Sequence, residues 1–229
     1  MLGRMAIVGV VPAAGYARRL GRLGCSKEVL PIAGRPVLEY VVERMRHAVP
    51  SEIRVVTRPE KRDVAEHARR LGVKVVEGRP ESVAASVLLG LDGLQADDVV
   101  LLGFPDSVWG PEDGFALLVD ELDETTDVAL GCFRSRELER SDVVVSDDDG
   151  TVRSVQVKPE RPASKLIWGC AAGRAGALAL LSDHAEPGEL FGRLAAAGRV
   201  RAVRLPGEFV DIGTPEALDR FGVPVGVPA

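Results

Sequence analysis

Cysteine is scarce in this chain. Its 229 residues hold three, Cys25, Cys132 and Cys170. The count is odd, the spacing is wide, and neither a C-x-x-C pair nor a His-Cys zinc spacing occurs. That excludes a disulfide framework and a structural zinc site, and it fits a reduced, cytoplasmic setting. No apolar run reaches the about 18 residues of a membrane span, so no membrane partner is expected. The apolar stretch Met5–Ala14 behind Arg4 has a faint look of a leader. It runs straight into a Gly/Arg loop with no polar mature segment, and reads instead as a first core strand. Cations are not in excess: 29 Lys and Arg against 34 Asp and Glu leave a net charge of −5. A non-specific nucleic-acid binder is usually basic, so nucleic acid is not an expected partner. The basic run from Arg58 to Arg70 is broken by Glu60, Asp63 and Glu66 and reads as a solvated helix face. There is no G-x-S-x-G elbow and no H-E-x-x-H motif. His47, His67 and His184 have no Ser, Cys or second His at useful spacing and receive no role.

What is present is an ordinary apolar fraction, 46%, enough to bury a real core. Strand and helix patterns alternate. Ala6–Val11 is a continuous apolar run, as in a strand buried on both faces. Pro36 suits a first helical position, with Val37, Tyr40, Val41, Arg44 and Met45 at helical spacing behind it. Glu52–Thr57, Val73–Glu77, Asp98–Leu102 and Asp127–Phe133 read as strands. Glu60–Leu71, Ser82–Leu91 and Asp113–Leu122 read as the helices between them. Such repetition implies crossovers and a mostly parallel sheet. Later, Val143–Ser146 and Thr151–Val157 flank Asp147–Gly150 as a hairpin. Leu166–Cys170, Arg201–Leu205 and Phe209–Ile212 read as strands, and Gly173–Leu181 and Glu189–Ala197 as helices. Thr214 precedes Pro215 as the cap of a last helix. The expected fold is a Rossmann-like three-layer α/β/α domain with a mixed, mostly parallel central sheet and a small β-hairpin extension, spanning residues 1–229.

Chemistry concentrates at strand ends. The first strand runs into Ala13-Ala14-Gly15, whose small side chains let backbone N–H groups approach a ligand. Arg18, Arg19 and Lys27 follow, a supply of positive charge for polyphosphate. Asp106 follows a strand in LLGFPDS and Asp211 another in EFVDIGTPEAL. Two such carboxylates can meet at one sheet edge and hold a hard divalent cation.

The segment VVPAAGYARRLGRLGCSKEVLPIAGRP resembles the pattern A-A-G-x-G-T-R-L…P-K-x-L-L-P of the sugar-phosphate nucleotidyltransferases, of the glucose-1-phosphate thymidylyltransferase or uridylyltransferase type. Arg19, Lys27 and Leu30-Pro31 match. Ala17 and Arg18 depart from it. The resemblance extends to about Leu218 through Asp106, Lys158-Pro159 and Asp211-Ile212-Gly213. It implies a transfer that joins a nucleoside triphosphate to a sugar 1-phosphate and releases pyrophosphate. Arg19, Lys27 and Asp106 would be catalytic, and Mg²⁺ would sit on Asp106 and Asp211. Ala13, Ala14, Gly15, Glu77, Pro80 and Ser82 would face the nucleotide, in a part covering about residues 1–125. Lys158, Trp168 and Gly169 would face the sugar phosphate, in a part covering about residues 126–221. Val157 replaces the glutamate that usually precedes the lysine, which implies a sugar recognised differently. Glu77 stands where thymidylyl enzymes carry glutamine. An ionised carboxylate only accepts hydrogen bonds, which favours cytosine or guanine. A homo-oligomer is compatible with all of this. Two rival readings are a cytidylyltransferase of the same fold acting on an alditol or isoprenoid phosphate, and a non-catalytic nucleotide- or sugar-binding regulator.

Overall fold

Continuous aliphatic runs form the middle of a sheet. In the computed structural model, which describes residues 5–16, 24–213 and 215–221, Ile7–Pro12 is strand β1. Its side chains alternate between two separate cores, Val11 in one and Val8 and Val10 in the other. A two-plus-two-residue hairpin follows, Pro31–Ile32 (β2) with Arg35–Pro36 (β3). Helix α1 spans Leu38–His47. Pro36 is therefore not the first helical residue. Its fixed φ also suits an edge strand, and it pairs with Pro31 there.

Glu52–Thr57 (β4), Arg62–Arg70 (α2), Lys74–Glu77 (β5), Val83–Gly90 (α3) and Val99–Gly103 (β6) come next. β1 pairs in parallel with β4 on one side and β6 on the other, and β5 lies beyond β4. Strand order thus reverses at β1. In such sheets the crevice beyond the carboxyl ends of the strands at the reversal is where ligands bind.

Ser107–Val108 (β7), Gly114–Val119 (α4) and Val128–Arg134 (β8) lead into the expected hairpin of Val143–Ser146 (β9) and Val152–Gln156 (β10). Strand β11 then runs from Leu166 to Arg174. It continues through residues read from the sequence as the start of a helix, because Cys170–Arg174 lie antiparallel between β6 and β8. The helix itself, α5, is only Ala175–Leu178, with a 3₁₀ turn behind it. Helix α6 spans Pro187–Ala196, Val200–Arg204 is β12, Val210–Asp211 is β13 and Pro215–Arg220 is α7. α6 starts two residues before the expected Glu189. Glu186 and Glu189 form a reciprocal capping box there, with Pro187 at the first helical position. Thr214, the expected cap of α7, lies outside the described residues.

The main sheet has nine strands, in the order β10-β9-β11-β6-β1-β4-β5, with β8 on β11 and β12 on β8. Helices α1, α2 and α4 cover one face; α3, α5 and α6 cover the other. This is the mixed three-layer α/β/α arrangement. A third, smaller cluster joins Leu30, Ile32 and Val37 to Val210, Ile212 and Leu218. It clamps β2 against β13 and α7, so the segments carrying Lys27 and Asp211 are held as one piece. No helix among the described residues is long and apolar enough to cross a membrane.

Candidate active site

Two adjoining cavities open beyond the carboxyl ends of β1 and β6. The larger, about 770 Å³, is walled by Ala14, Gly15, Lys27, Pro80, Ser82 and Asp106, among others. The smaller, about 210 Å³, is walled by Asp106, Lys158, Trp168, Gly169 and Asp211. Val83, Phe104, Asp106 and Glu186 line both. Asp106 and Glu186 are thus the acids at their junction, and Asp106 is the one paired with Lys27.

Lys27 opens a 3₁₀ turn over Lys27–Val29, and its ammonium pairs with the Asp106 carboxylate. Burial alone would lower the lysine's pKa. The Asp106 carboxylate, with Glu28 and Asp211 nearby, outweighs burial and holds it above the ordinary value. Backbone pairing brings Asp211 to the same place: β13 lies antiparallel to β7, with Asp211 opposite Ser107. The Ile212 amide donates to the Asp106 carbonyl at 2.7 Å. Asp211 Oδ1 accepts the Gly213 amide at 2.7 Å. Two carboxylates against one cavity are hard oxygen donors. They suit magnesium, which takes one or two carboxylates and completes its shell with phosphate oxygens and water. Among the described residues no larger cluster of metal-binding side chains forms.

The other expected residues divide. Ser82 caps α3 by accepting the Ala85 amide at 3.0 Å, and with Pro80 it lines the larger cavity. Glu77 does not join them. At the end of β5 it pairs with Arg69 at 3.1 Å and lines a neighbouring open depression that shares the Pro80–Ser82 rim with the larger cavity. Lys158 has a φ of 42° and pairs through Nζ with Glu186 Oε1 at 2.7 Å. Trp168 is only 8% exposed. Its ring sits between Phe104 and Phe191, at centroid distances of 5.4 and 5.0 Å. It belongs mostly to the core wall rather than offering an open face to a sugar. At Gly169 a Cβ would fall 2.3 Å from the Phe209 ring. Its hydrogen is what lets Phe209 close the cavity wall. Arg19, with Ala17 and Arg18, lies outside the described residues.

The structure adds residues that sequence reasoning missed. Helix α2 begins at Arg62, so Arg58 and Lys61 precede it and are not on a solvated helix face. Both turn to the Ala13–Gly15 loop. Arg58 Nε donates to the Ala14 carbonyl at 2.8 Å, and its guanidinium lies 4.6 Å over the Tyr16 ring. Arg58 also bonds the Pro80 carbonyl across the cleft. Lys61 Nζ donates to the carbonyls of Ala13 at 2.9 Å and Gly15 at 3.0 Å. It also pairs with Glu28 Oε1 at 2.6 Å, where the carboxylate is fully buried. Burial pushes Glu28 up and Lys61 down in pKa, and each partner's charge resists the shift of the other. Asp63 fixes the loop's far end by accepting the Ser26 amide and hydroxyl at 2.7 and 2.8 Å.

A family model for the MobA-like NTP transferase domain matches residues 9–203. The chain belongs to that family. It is 26% identical over 167 residues to a glucose-1-phosphate thymidylyltransferase of Neisseria meningitidis, covering 68% of this chain and 57% of that one. Over 41 residues it is 51% identical to a 2-C-methyl-D-erythritol 4-phosphate cytidylyltransferase of Chromohalobacter salexigens, covering 18% of this chain and 16% of that one. A crystal structure from Bacillus anthracis, described as a glucose-1-phosphate thymidylyltransferase with sucrose bound, superposes with a TM-score of 0.83 over 98% of both chains at 16% identity. The chain spans 37–57% of the length of the curated relatives it matches over 68–69% of itself.

Proposed function

We propose that this nucleotidyltransferase-family protein joins a nucleoside triphosphate to a sugar 1-phosphate, giving an NDP-sugar and pyrophosphate with Mg²⁺ as cofactor. The observation that carries the reading is the pair of adjoining cavities meeting at Asp106. One is bounded by a small-residue loop and Lys27, the other by Lys158 and Asp211.

In this reading an oxygen of the sugar phosphate attacks the α-phosphorus of the triphosphate. The bond from that phosphorus to the β-phosphate bridge oxygen breaks, and pyrophosphate leaves with the electron pair. The attacking phosphate is already anionic at neutral pH, so no general base is needed. Catalysis is then alignment and charge stabilisation. Lys27 offsets charge on the departing phosphates, with Arg19 assigned the same duty from the sequence. Lys158, steered by Glu186, binds the acceptor phosphate. Magnesium held by Asp106 and Asp211 would supply Lewis-acid stabilisation of the phosphate oxygens.

A pyrophosphate-release screen of CTP, GTP, UTP, dTTP and ATP against a panel of sugar 1-phosphates, alditol phosphates and isoprenoid phosphates tests this. The expected result is Mg²⁺-dependent release with at least one pair, matched mole for mole by nucleotide-sugar. Release only with alditol or isoprenoid phosphates would favour the second reading, a cytidylyltransferase, which the local 51% identity supports. Ligand binding with no release from any pair would identify a regulator.

A further inference from the structure

The loop Ala13–Gly15 is tied by its carbonyls. All three of its carbonyls are engaged by cations from the segment after β4: Ala13 and Gly15 by Lys61, Ala14 by Arg58. A trans peptide is planar, with its C=O and N–H pointing in opposite directions. Fixing the carbonyls of Ala13, Ala14 and Gly15 therefore aims the amides of Ala14, Gly15 and Tyr16 the other way. Ala14, Gly15, Tyr16 and Arg58 line the larger cavity, whereas Lys61 does not, so the amides set toward the cavity are those opposite Lys61, of Ala14 and Tyr16. The Ala13 amide is spent on the Val56 carbonyl at 2.7 Å, but the three amides after it meet no acceptor among the described residues.

The same lysine reaches further. Its partner Glu28 is the neighbour of Lys27, whose side chain goes to Asp106. Lys61 thereby joins the loop of amides to the turn that presents Lys27. Arg58 adds a bond to Pro80 on the opposite wall.

We infer that Lys61 is a positioning residue for the nucleotide: it turns the backbone amides of Ala14 and Tyr16 into the cleft as an anion-binding pair, Arg58 on the cavity wall braces the loop between them, and Lys61 with Glu28 sets that pair in register with Lys27. The inference rests on the reading that the larger cavity takes a nucleoside triphosphate, and its test separates the two. Lys61→Met alone would strand a buried carboxylate, so it is made together with Glu28→Gln. CTP, GTP, UTP, dTTP and ATP are titrated with Mg²⁺ into ¹⁵N-labelled protein, following affinity and the amide resonances of residues 14 to 16.

In the wild type at least one triphosphate binds and moves the Ala14 and Tyr16 amide protons. In the double variant that triphosphate binds at least about tenfold more weakly, as expected of misplaced binding groups. The Ala14 and Tyr16 shifts are lost, and KM for the triphosphate rises while KM for the acceptor does not. Should the double variant lose its thermal transition, Lys61→Gln alone carries the test. It keeps a donor for the Glu28 carboxylate but is too short to hold both loop carbonyls, so the same two amide shifts are the ones to disappear. A folded variant that binds within about twofold of wild type with unchanged amide shifts overturns the inference. A wild type that binds none of the triphosphates overturns the reading beneath it.

Discussion

Three carboxylates near the site do different work because their surroundings differ. Asp106 stands where the cavities meet, paired with Lys27. Replacing it by Asn keeps the shape and removes the charge. We expect turnover to fall at least about a hundredfold, the usual loss for one preorganised electrostatic group. Steady-state kinetics at saturating Mg²⁺ measure this, and near-normal turnover would remove Asp106 from the mechanism. Asp142 is different. One of its oxygens accepts the Trp168 indole N–H at 3.2 Å and the other is buried without a hydrogen-bond partner among the described residues. Burial is the main cause that raises its pKa, with Glu186 adding to it; the Trp168 bond and Lys158 oppose the rise. A raised carboxylate costs stability once it ionises. The cost is absent below the unfolded pKa of about 3.9 and grows as pH rises through the folded value. Asp142→Asn, which still accepts from the indole, is therefore expected to raise the melting temperature at pH 7 and to leave it unchanged near pH 4. Equal effects at both pH values would show that burial of the charge is not the cause. Glu28 is the third. It is buried like Asp142, yet it has a lysine against it. Removing one partner of such a pair typically costs about 3–5 kcal/mol.

At the scale of elements, close packing decides what composition leaves ambiguous. Helix α3 lies so near β1 that a Cβ at Gly90 would meet Val10 Cγ1 at 2.4 Å. Helix propensity favours Ala over Gly by about 1 kcal/mol. Overpacking a tight contact costs about 1–3 kcal/mol. Gly90→Ala is thus expected to destabilise on balance, seen as a lower urea midpoint with an unchanged slope. A higher midpoint would mean that the contact yields easily. The same principle explains which elements could be read from the chain. β1, β4, β6 and β8 are aliphatic runs bounded by turns, and their edges shifted by a residue at most. The far half of β11 is Cys170-Ala171-Ala172-Gly173, small residues with no strand signature. They are extended because β6 and β8 pair with them on both sides. The site divides in the same way. Asp106 was legible because it follows a strand in sequence, and Asp211 because it ends one. Arg58 and Lys61 were not, since they bond carbonyls 44 to 48 residues away. A charged run reads as a solvated face until the fold shows what it turns toward.

For the molecule as a whole, several strands converge on one acid. Asp127, just before β8, takes a two-pronged contact from Arg199 before β12, at 2.8 and 2.7 Å. Its own carbonyl accepts the Arg174 amide at the end of β11, at 2.9 Å. One residue therefore ties three strands of the sheet at a common end, β12 through its carboxylate and β11 through its backbone carbonyl. The Arg199 hydrogen bonds hold its pKa below the ordinary value, against the opposing effect of burial. The direction is opposite to that of Asp142, and so is the consequence. A depressed carboxylate contributes stability that is complete above its unfolded pKa of about 3.9 and is lost as pH falls through the folded value. Asp127→Asn should lower the melting temperature by a constant amount above about pH 5, with the gap to wild type closing as the pH drops below about 4. Thermal unfolding followed by circular dichroism from pH 2 to 8 measures both curves. A gap that stays open at the acid end would mean that the amide disturbs the three-strand junction by shape alone, and that the Arg199 pair contributes nothing through its charge.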